Sequence, residues 1–293
     1  MMDSSFSCRL IAFDLDGTLL QKHAFLSPRT REALTKAHEK GIELVPATGR
    51  MLHFLPDCLT ELPFLRYAIT SNGAGVYDLR TGACLYANTF PPTLAASLVR
   101  YFLSLDLWVE CYVNGHAWIH RATLEKGPDH YEIPENKRLF VQKPYRIAED
   151  LPESLVCEQM AVEKINLPYL PPALRTMLWQ KMDGMPDVTA VSSVDDNMEL
   201  NVTGCDKGDG LRHLCEKLDI PLTHVFAMGD NGNDLTLLRT AGLSAAMKNG
   251  TQEAKKAASF VTRYPCEEDG AARCLEEILH LSTDFTEGKE LSL

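Results

Sequence analysis

The stretch RLIAFDLDGTLL, from Arg9 to Leu20, decides the fold class of this chain. An apolar run typical of a buried strand is followed by two aspartates one residue apart and then by Gly-Thr. Because an unpaired carboxylate in an apolar interior is very costly, Asp14 and Asp16 must stand where the strand ends. Side chains two apart on a strand point the same way, so we expect both carboxylates to reach one place and to meet a cation there. Gly17 permits a sharp exit, and Thr18 can tie the turn by a local hydrogen bond.

The segments that follow predict alternating strands and helices. SPRTREALTKAHEKG predicts a helix with Ser27 as its N-cap, Pro28 in its first turn and Gly41 as its stop. IELVPATGR and RYAITSNGA predict two further strands that also end in polar residues. Strands that alternate with helices form parallel sheets, and ligands bind beyond the carboxyl ends of such strands. We therefore predict an α/β fold with a doubly wound parallel sheet.

The pattern changes in the middle of the chain. AGVYDLRTGACLYANTF predicts a hairpin with its turn at Arg80-Thr81-Gly82. From about Pro91 to Val191 the alternation fades, and proline-rich joints and aromatic-rich strands appear. We predict an inserted α+β module there. The first architecture is expected to resume with the strand and helix of NMELNVTGCDKGDGLRHLCEKLDI.

A second cluster of acids stands at the end of a later predicted strand. VFAMGDNGNDLTLL predicts a strand, a polar loop over 229–234 and a helix. The end of a strand and the start of a helix suit a cation and an anion, respectively. Since the candidate ligands are hard oxygens with no histidine or cysteine nearby, this loop and the Asp14 motif together predict a Mg²⁺ site.

Two further features suit a phosphate group. Thr48 with Gly49 offers a hydroxyl and a backbone N–H to phosphate oxygens. Lys207 opens a predicted helix, where its charge opposes the helix dipole unless an anion is bound. A plain polar turn and a solvated surface lysine are the alternatives that the residues leave open.

Composition limits the class of protein. The 293 residues are 45% hydrophobic and 24% charged, as in an ordinary globular protein. The net charge of −11 argues against a nucleic acid or an anionic membrane as partner. Nine cysteines, an odd number without a CxxC pair, predict reduced thiols in packing roles. With no secretion-signal pattern and no apolar run near the ~20 residues of a membrane span, we expect a cytoplasmic protein.

The ordered motifs DLDGT, ATGR, SNGA, DKGDGL and GDNGND resemble those of the haloacid dehalogenase-like hydrolase superfamily, and in detail those of the Cof-type phosphatases. The resemblance covers about residues 1–85 and 192–280. It implies a Rossmann-like core over 1–85 and 192–293 and an inserted α+β cap domain of type C2 over 86–191. The spacing agrees, because the roughly 33 residues from Asp16 to Gly49 leave no room for a cap.

The resemblance also implies a chemistry. It implies a Mg²⁺-dependent phosphatase in which Asp14 forms an aspartyl-phosphate, Asp16 acts as general acid and base, and Lys207 assists catalysis. The implied metal ligands are Asp14, Asp16 through its backbone carbonyl, Asp230, and Asn231 or Asp234, which completes or orients the shell. The implied phosphoryl-binding groups are the Leu15 N–H, Thr48, Gly49, Asn72, Lys207 and Asn233.

The expected substrate is a small phosphate ester such as a sugar phosphate, a nucleotide or a vitamin phosphate. We expect a monomer or homodimer with no nucleic-acid or membrane partner. A phosphomutase-like phosphotransferase and a catalytically silent phospho-ligand-binding protein are the alternatives. The long, late cap disfavours the first, and the presence of Asp14, Asp16, Lys207 and Asp230 disfavours the second.

The predicted cap carries a run of basic side chains from His116 to Arg146. A cationic clamp for a sugar phosphate or a nucleotide is one interpretation. Because acids are interspersed with the bases, we favour a solvated surface.

Overall fold

The computed structural model describes residues 6–193 and 196–281. The chain divides into two compact units. The first unit comprises Met1–Pro46, Pro56–Tyr67 and Cys215–Leu293, and the second comprises Ala47–Leu55 and Ala68–Leu214.

The strands in chain order are β1 (Leu10–Phe13), β2 (Glu43–Pro46), β3 (Tyr67–Thr70), β4 (Gly75–Asp78), β5 (Ala83–Ala87), β6 (Glu110–Val113), β7 (His116–His120), β8 (Arg146–Ala148), β9 (Val162–Leu167), β10 (Val188–Val191), β11 (Met198–Val202), β12 (Val225–Gly229), β13 (Leu243–Ala246) and β14 (Phe260–Val261). The α-helices are α1 (Pro28–Glu39), α2 (Asp57–Thr60), α3 (Pro92–Ser104), α4 (Arg121–His130), α5 (Leu151–Cys157), α6 (Pro172–Asp183), α7 (Lys207–Leu218), α8 (Leu235–Thr240), α9 (Gln252–Ala257) and α10 (Gly270–Leu279).

A parallel sheet of five strands, in the order β14-β13-β12-β1-β2, forms the centre of the first unit. β1 lies between β12 and β2, and its last residue, Phe13, is level with Met228 and Pro46. All four residues of β1 are buried, as expected of a central strand that is covered on both faces. The predicted α/β class with a parallel sheet is confirmed.

Helix α1 has the ends that its sequence predicts. Ser27 caps the helix by accepting a hydrogen bond from the Thr30 N–H at 3.0 Å, and Pro28 is the first helical residue. The helix ends at Glu39, two residues before Gly41. The predicted helix, its N-cap and its first-turn proline are therefore confirmed.

The second unit contains two sheets. Six strands in the order β10-β11-β9-β6-β7-β8 form the larger sheet, which is antiparallel except for the pair β7 and β8. Helices α3 and α5 pack against each other, and residues such as Phe102, Leu155 and Ile165 form one buried core cluster. The smaller sheet has the order β3-β4-β5, and its β4–β5 pair is the hairpin that we predicted around Gly82.

Two strands lie elsewhere than we expected. β3 belongs to the three-stranded sheet and also forms a parallel bridge, from Ile69 to Ala47, with the chain after β2. β11, expected to resume the first architecture, instead pairs antiparallel with β10 and β9. Met198 and Leu200 of β11 join the apolar core of the six-stranded sheet. A short apolar strand suits either sheet, so its hydropathy does not determine which one it joins.

The boundaries of the two compact units differ from those of the predicted domains. Residues 47–55, 68–85 and 196–214 fall in the second unit, whereas we placed them in the core. The division into a core and a cap of type C2 over 86–191 stays a prediction.

The nine cysteines are all free thiols, and five of them are buried. This agrees with the packing role predicted for them. Across residues 6–193 and 196–281, every helix is too short or too polar to cross a bilayer.

Candidate active site

Two neighbouring strands of the parallel sheet are each followed directly by an aspartate. Asp14 follows β1 and donates its N–H to the Met228 carbonyl at 3.0 Å, while Asp230 follows β12 directly. A 3-10 turn over Gly232–Asp234 comes next. One carboxylate oxygen from each of Asp14, Asp230 and Asp234 lies within 4.8 Å of the other two. The structure therefore brings together acids from two motifs that are more than two hundred residues apart.

This cluster, which we call the aspartate triad, has the chemistry of a divalent-cation site. Asp14 and Asp234 are buried and Asp230 is half-buried. Three carboxylates this close repel one another unless a cation or a proton offsets their charge. Carboxylate oxygens are the ligands that hard ions such as Mg²⁺ prefer, so the donors present fit a divalent metal ion.

The turn after β1 is shaped around Asp230. Gly17 has a φ of +87°, and a Cβ at this position would lie 2.7 Å from Asp230 Oδ2. Thr18 Oγ1 donates to Asp230 Oδ1 at 3.0 Å, so its hydroxyl proton bonds to a distant residue and not within its own turn. The Gly-Thr pair of the opening motif therefore makes room for the second aspartate and orients it.

Asp234 holds the loop that carries Asp230. Its Oδ2 accepts hydrogen bonds from the N–H groups of Asp230 at 2.9 Å and Asn231 at 3.0 Å. The Asn231 side chain accepts from the Gly232 N–H at 2.7 Å. It also accepts from the Asp234 N–H, which completes a capping box with the bond from the Asn231 N–H to Asp234. Asn233 is half-buried in the same turn. Asp234 Oδ2 therefore stabilises the loop by accepting two backbone hydrogen bonds.

Leu15 and Asp16 stand in the turn beyond β1. The strand ends at Phe13, so Asp14 and Asp16 lie beyond the regular alternation from which we expected their carboxylates to converge. The side chain of Asp16 is exposed, and the triad found among the described residues does not include it. The role of Asp16 as acid and base stays a prediction.

Sequence reasoning missed Asn249, which follows β13 in the stretch AMKNG. Its Nδ2 donates to the Gly17 carbonyl at 2.8 Å, and its Oδ1 accepts from the Cys266 N–H at 2.8 Å. Asn249 therefore supports the turn that faces Asp230. A signal was available, because a polar Lys-Asn-Gly sequence follows an apolar strand here as in the other motifs.

We expect Asn249→Ala to lower the free energy of unfolding by about 1–2 kcal/mol, since it removes two hydrogen bonds to backbone groups. Urea unfolding measures the change. Lys248→Ala, at the exposed neighbouring position, is the matched control and should stay within about 0.5 kcal/mol of the wild type. Equal stability of the two variants would show that Asn249 does not support the turn.

The predicted phosphate-binding residues of the second unit lie in two adjoining loops. The Thr48 N–H donates to the Ile69 carbonyl at 2.9 Å, and the Asn72 N–H donates to the Thr48 carbonyl at 3.0 Å. Thr48 is buried, and its Oγ1 accepts from the Arg50 N–H at 3.1 Å. A Cβ on Gly49 would lie 2.9 Å from Asn72 Oδ1. Thr48, Gly49 and Asn72 are therefore brought together.

Lys207 is the first residue of α7 and is fully buried, so the alternative of a solvated lysine is wrong. Asp206 Oδ1 accepts from the Asp209 N–H at 2.8 Å at the start of this helix. A Cβ on Gly73 would lie 1.9 Å from the Asp206 carbonyl oxygen and 3.0 Å from the Lys207 backbone nitrogen. The loop of Asn72 and Gly73 therefore packs directly on the first turn of α7.

A buried ion pair from β9 and β11 touches the same loops. Lys164 Nζ donates to the Gly49 carbonyl and to Glu199 Oε2, the latter at 2.9 Å. Glu199 Oε2 also accepts from Asn72 Nδ2 at 2.6 Å. Burial by itself would raise the pKa of Glu199, but Lys164 and hydrogen bonds from Ser193 and Asn72 hold it below its ordinary value. Burial lowers the pKa of Lys164 despite its partner.

The basic run from His116 to Arg146 divides into two groups. Arg121 and Lys126 have exposed side chains, as expected of a solvated surface. Lys143, by contrast, is only 4% exposed and pairs at 2.5 Å with the fully buried Glu110. Lys137 is also buried. The prediction of a solvated surface is therefore wrong for Lys137 and Lys143.

Comparison with known families gives the class of the protein. A family model described as haloacid dehalogenase-like hydrolase matches residues 11–275. The chain therefore belongs to this family of hydrolases. The family predicted from the motifs is confirmed, and with it the predicted enzyme class of phosphoric monoester hydrolases.

Individual relatives agree over nearly their whole length. Phosphatase YwpJ of Bacillus subtilis (strain 168) is 26% identical over 288 residues, which cover 92% of this chain and 100% of that protein. The 5-amino-6-(5-phospho-D-ribitylamino)uracil phosphatase YcsE of the same organism is 27% identical over 275 residues, which cover 91% of this chain and 94% of YcsE. A crystal structure of a haloacid dehalogenase-like hydrolase from Bacteroides thetaiotaomicron matches with a TM-score of 0.78 and 26% identity, covering 93% of this chain and 100% of that one.

Proposed function

We propose that this hydrolase is a Mg²⁺-dependent phosphatase that acts on small phosphorylated metabolites through an aspartyl-phosphate on Asp14. The aspartate triad at the ends of β1 and β12 is the observation that carries the proposal. Membership in the hydrolase family supports it as well. YcsE takes, by its name, the phosphate ester of a small ribityl compound, and this supports a small metabolite as the substrate here.

The metal is assigned to oxygen ligands. Asp14, Asp230 and the backbone carbonyl of Asp16 are its proposed ligands, and Asn231 or Asp234 completes or orients the shell. A bound Mg²⁺ ion would offset the negative charge that the ester brings to these carboxylates and would polarise its phosphoryl oxygens.

The proposed reaction has two steps. First, a carboxylate oxygen of Asp14 bonds to phosphorus while the bond from phosphorus to the ester oxygen breaks, and Asp16 gives its proton to the leaving alkoxide. Next, Asp16 takes a proton from water as the water oxygen attacks phosphorus. The bond between Asp14 and phosphorus then breaks, which releases inorganic phosphate and restores the Asp14 carboxylate.

Phosphoryl transfer needs little beyond an in-line nucleophile and groups that stabilise charge on the equatorial oxygens. We assign that role to the Leu15 N–H, Thr48, Gly49, Asn72, Lys207 and Asn233. The close approach of Thr48, Gly49 and Asn72 to one another supports this assignment. The placement of Lys207 supports it too, because this buried residue begins α7 directly beside the loop of Asn72 and Gly73.

Metal removal tests the proposal. We expect the protein to release phosphate from an aryl phosphate with Mg²⁺, to lose at least about 100-fold of that rate in excess chelator, and to regain it when Mg²⁺ is restored. An unchanged rate in chelator would exclude a metal-dependent reaction. A panel of sugar phosphates, nucleotides and vitamin phosphates, ranked by kcat/KM, then identifies the substrate class. Turnover only with an added bisphosphate, without free phosphate, would indicate a phosphotransferase instead.

A further inference from the structure

We propose that Lys164 and Glu199 are positioning residues for phosphoryl binding, because together they fix the Gly49 carbonyl and the Asn72 side chain. The inference rests on the proposed function, in which Gly49 and Asn72 hold phosphoryl oxygens. Neither residue of the pair stands in a motif of the sequence, since Lys164 lies on β9 and Glu199 on β11.

The contacts run from the sheet to both loops. Lys164 Nζ donates to the Gly49 carbonyl, and Glu199 Oε2 accepts both from Lys164 at 2.9 Å and from Asn72 Nδ2 at 2.6 Å. One carboxylate oxygen therefore ties the lysine and the asparagine to a single point. The pair connects a loop that follows β2 with a loop that follows β3.

Glu199 is itself fixed through its other oxygen. Its Oε1 accepts from Ser193 Oγ at 2.6 Å and from Asn197 Nδ2 at 3.1 Å. With both oxygens bonded, the carboxylate cannot rotate without loss of several hydrogen bonds. Such a rigid acceptor is suited to holding a neighbouring side chain in one rotamer.

The loop that the pair holds has a strained backbone. Ser71 and Asn72 both have positive φ, at 51° and 59°, a region that residues other than glycine seldom adopt. Strain of this kind persists only where surrounding contacts impose it. Asn72 Nδ2 also donates to Asn201 Oδ1 at 3.2 Å, and Asn201 Nδ2 donates to the Ser71 carbonyl at 2.9 Å. β11 therefore supplies the contacts that keep the loop in this conformation.

Stability alone is a poor reason for the pair. A buried ion pair can often be replaced by apolar residues of similar volume without loss of stability. Its charges are better explained by the need to orient the two groups that it bonds.

The same sheet offers a matched control pair. Glu110 on β6 is as deeply buried as Glu199 and forms an ion pair with Lys143 at 2.5 Å. It also accepts from Asn166 Nδ2 at 2.8 Å and from Trp108 Nε1 at 3.2 Å. We assign no role in phosphoryl binding to these residues.

The test compares Lys164→Met/Glu199→Met with Glu110→Met/Lys143→Met. We expect the first double variant to lose about 10- to 100-fold in kcat/KM for an aryl phosphate and to bind inorganic phosphate, measured as an inhibitor, correspondingly less tightly. The second should stay within about threefold of the wild type in phosphate inhibition, because the hydrogen bonds of Glu110 and Lys143 lead to Trp108, Tyr112 and Asn166. Cooperative urea unfolding of each variant is the check that it is folded.

Equal losses in the two double variants, or a wild-type kcat/KM in the first, would overturn the inference. Should a methionine pair fail to fold, Glu199→Gln and Glu110→Gln decide instead. Glu199→Gln must then lose at least about threefold more kcat/KM, because a neutral amide oxygen is the weaker acceptor for Lys164 and Asn72. A wild-type protein that releases no phosphate from any ester is the separate result that removes the proposed function itself.

Discussion

Asp14→Asn is expected to lower the rate of phosphate release by at least about 10⁴-fold, because the amide cannot supply the attacking carboxylate oxygen. Phosphate release from an aryl phosphate at saturating Mg²⁺ measures the loss. Asp57→Asn, at the exposed first residue of α2, makes the same chemical change outside the triad. It should leave the rate within about twofold of the wild type, as expected of a surface substitution.

The stability of Asp14→Asn separates lost chemistry from lost structure. One carboxylate oxygen of Asp14 lies within 4.8 Å of an oxygen of Asp230 and of Asp234. The asparagine therefore removes one of three carboxylates that repel one another. Without metal, the variant should unfold at a urea concentration equal to or above that of the wild type. If the variant and the wild type hydrolyse the ester equally fast, Asp14 is not the nucleophile.

Elements in both units could be predicted where their signals are local. Ser27 and Pro28 define the start of α1 by capping chemistry that depends on neighbouring residues only. The β4–β5 hairpin is encoded by the turn at Gly82 in the same way. The partners of β3 and β11 could not be predicted, because strand pairing is a long-range choice that a four- or five-residue apolar pattern leaves open.

The residues of the candidate site also differ in whether their signal in the sequence is local. Asp14, Asp230 and Lys207 stand in compact motifs with polar residues at strand ends or helix starts. Such motifs can be recognised in the sequence without a structure. Lys164 and Glu199 are single charges inside strands, and such charges ordinarily indicate a solvent-facing side of a sheet. Their burial depends on partners about 35 or more residues away, Gly49 and Asn72 among them. Only the tertiary structure brings these partners together.

Gly73→Ala is expected to have the largest effect on folding. Gly73 has a φ of +99°, and the new Cβ would lie 1.9 Å from the carbonyl oxygen of Asp206. Backbone on both sides of the contact has to move, so we expect a loss of at least about 4 kcal/mol in the free energy of unfolding. Because the displaced segment is the start of α7, Lys207 moves with it, and kcat/KM should fall by about 100-fold in the protein that remains folded.

Gly82→Ala separates the effect of backbone strain at a positive φ from the effect of the steric collision. Gly82 also has a positive φ, at +70°, but a Cβ there meets nothing within 4 Å. The alanine therefore carries the backbone strain without the collision and should lose only about 1–2 kcal/mol with kcat/KM unchanged. Urea unfolding and phosphate release, measured on both variants, give the comparison. If Gly73→Ala were no less stable than Gly82→Ala, the loop of Asn72 and Gly73 could not be packed against α7, and the loop would have no means of holding Lys207 in place.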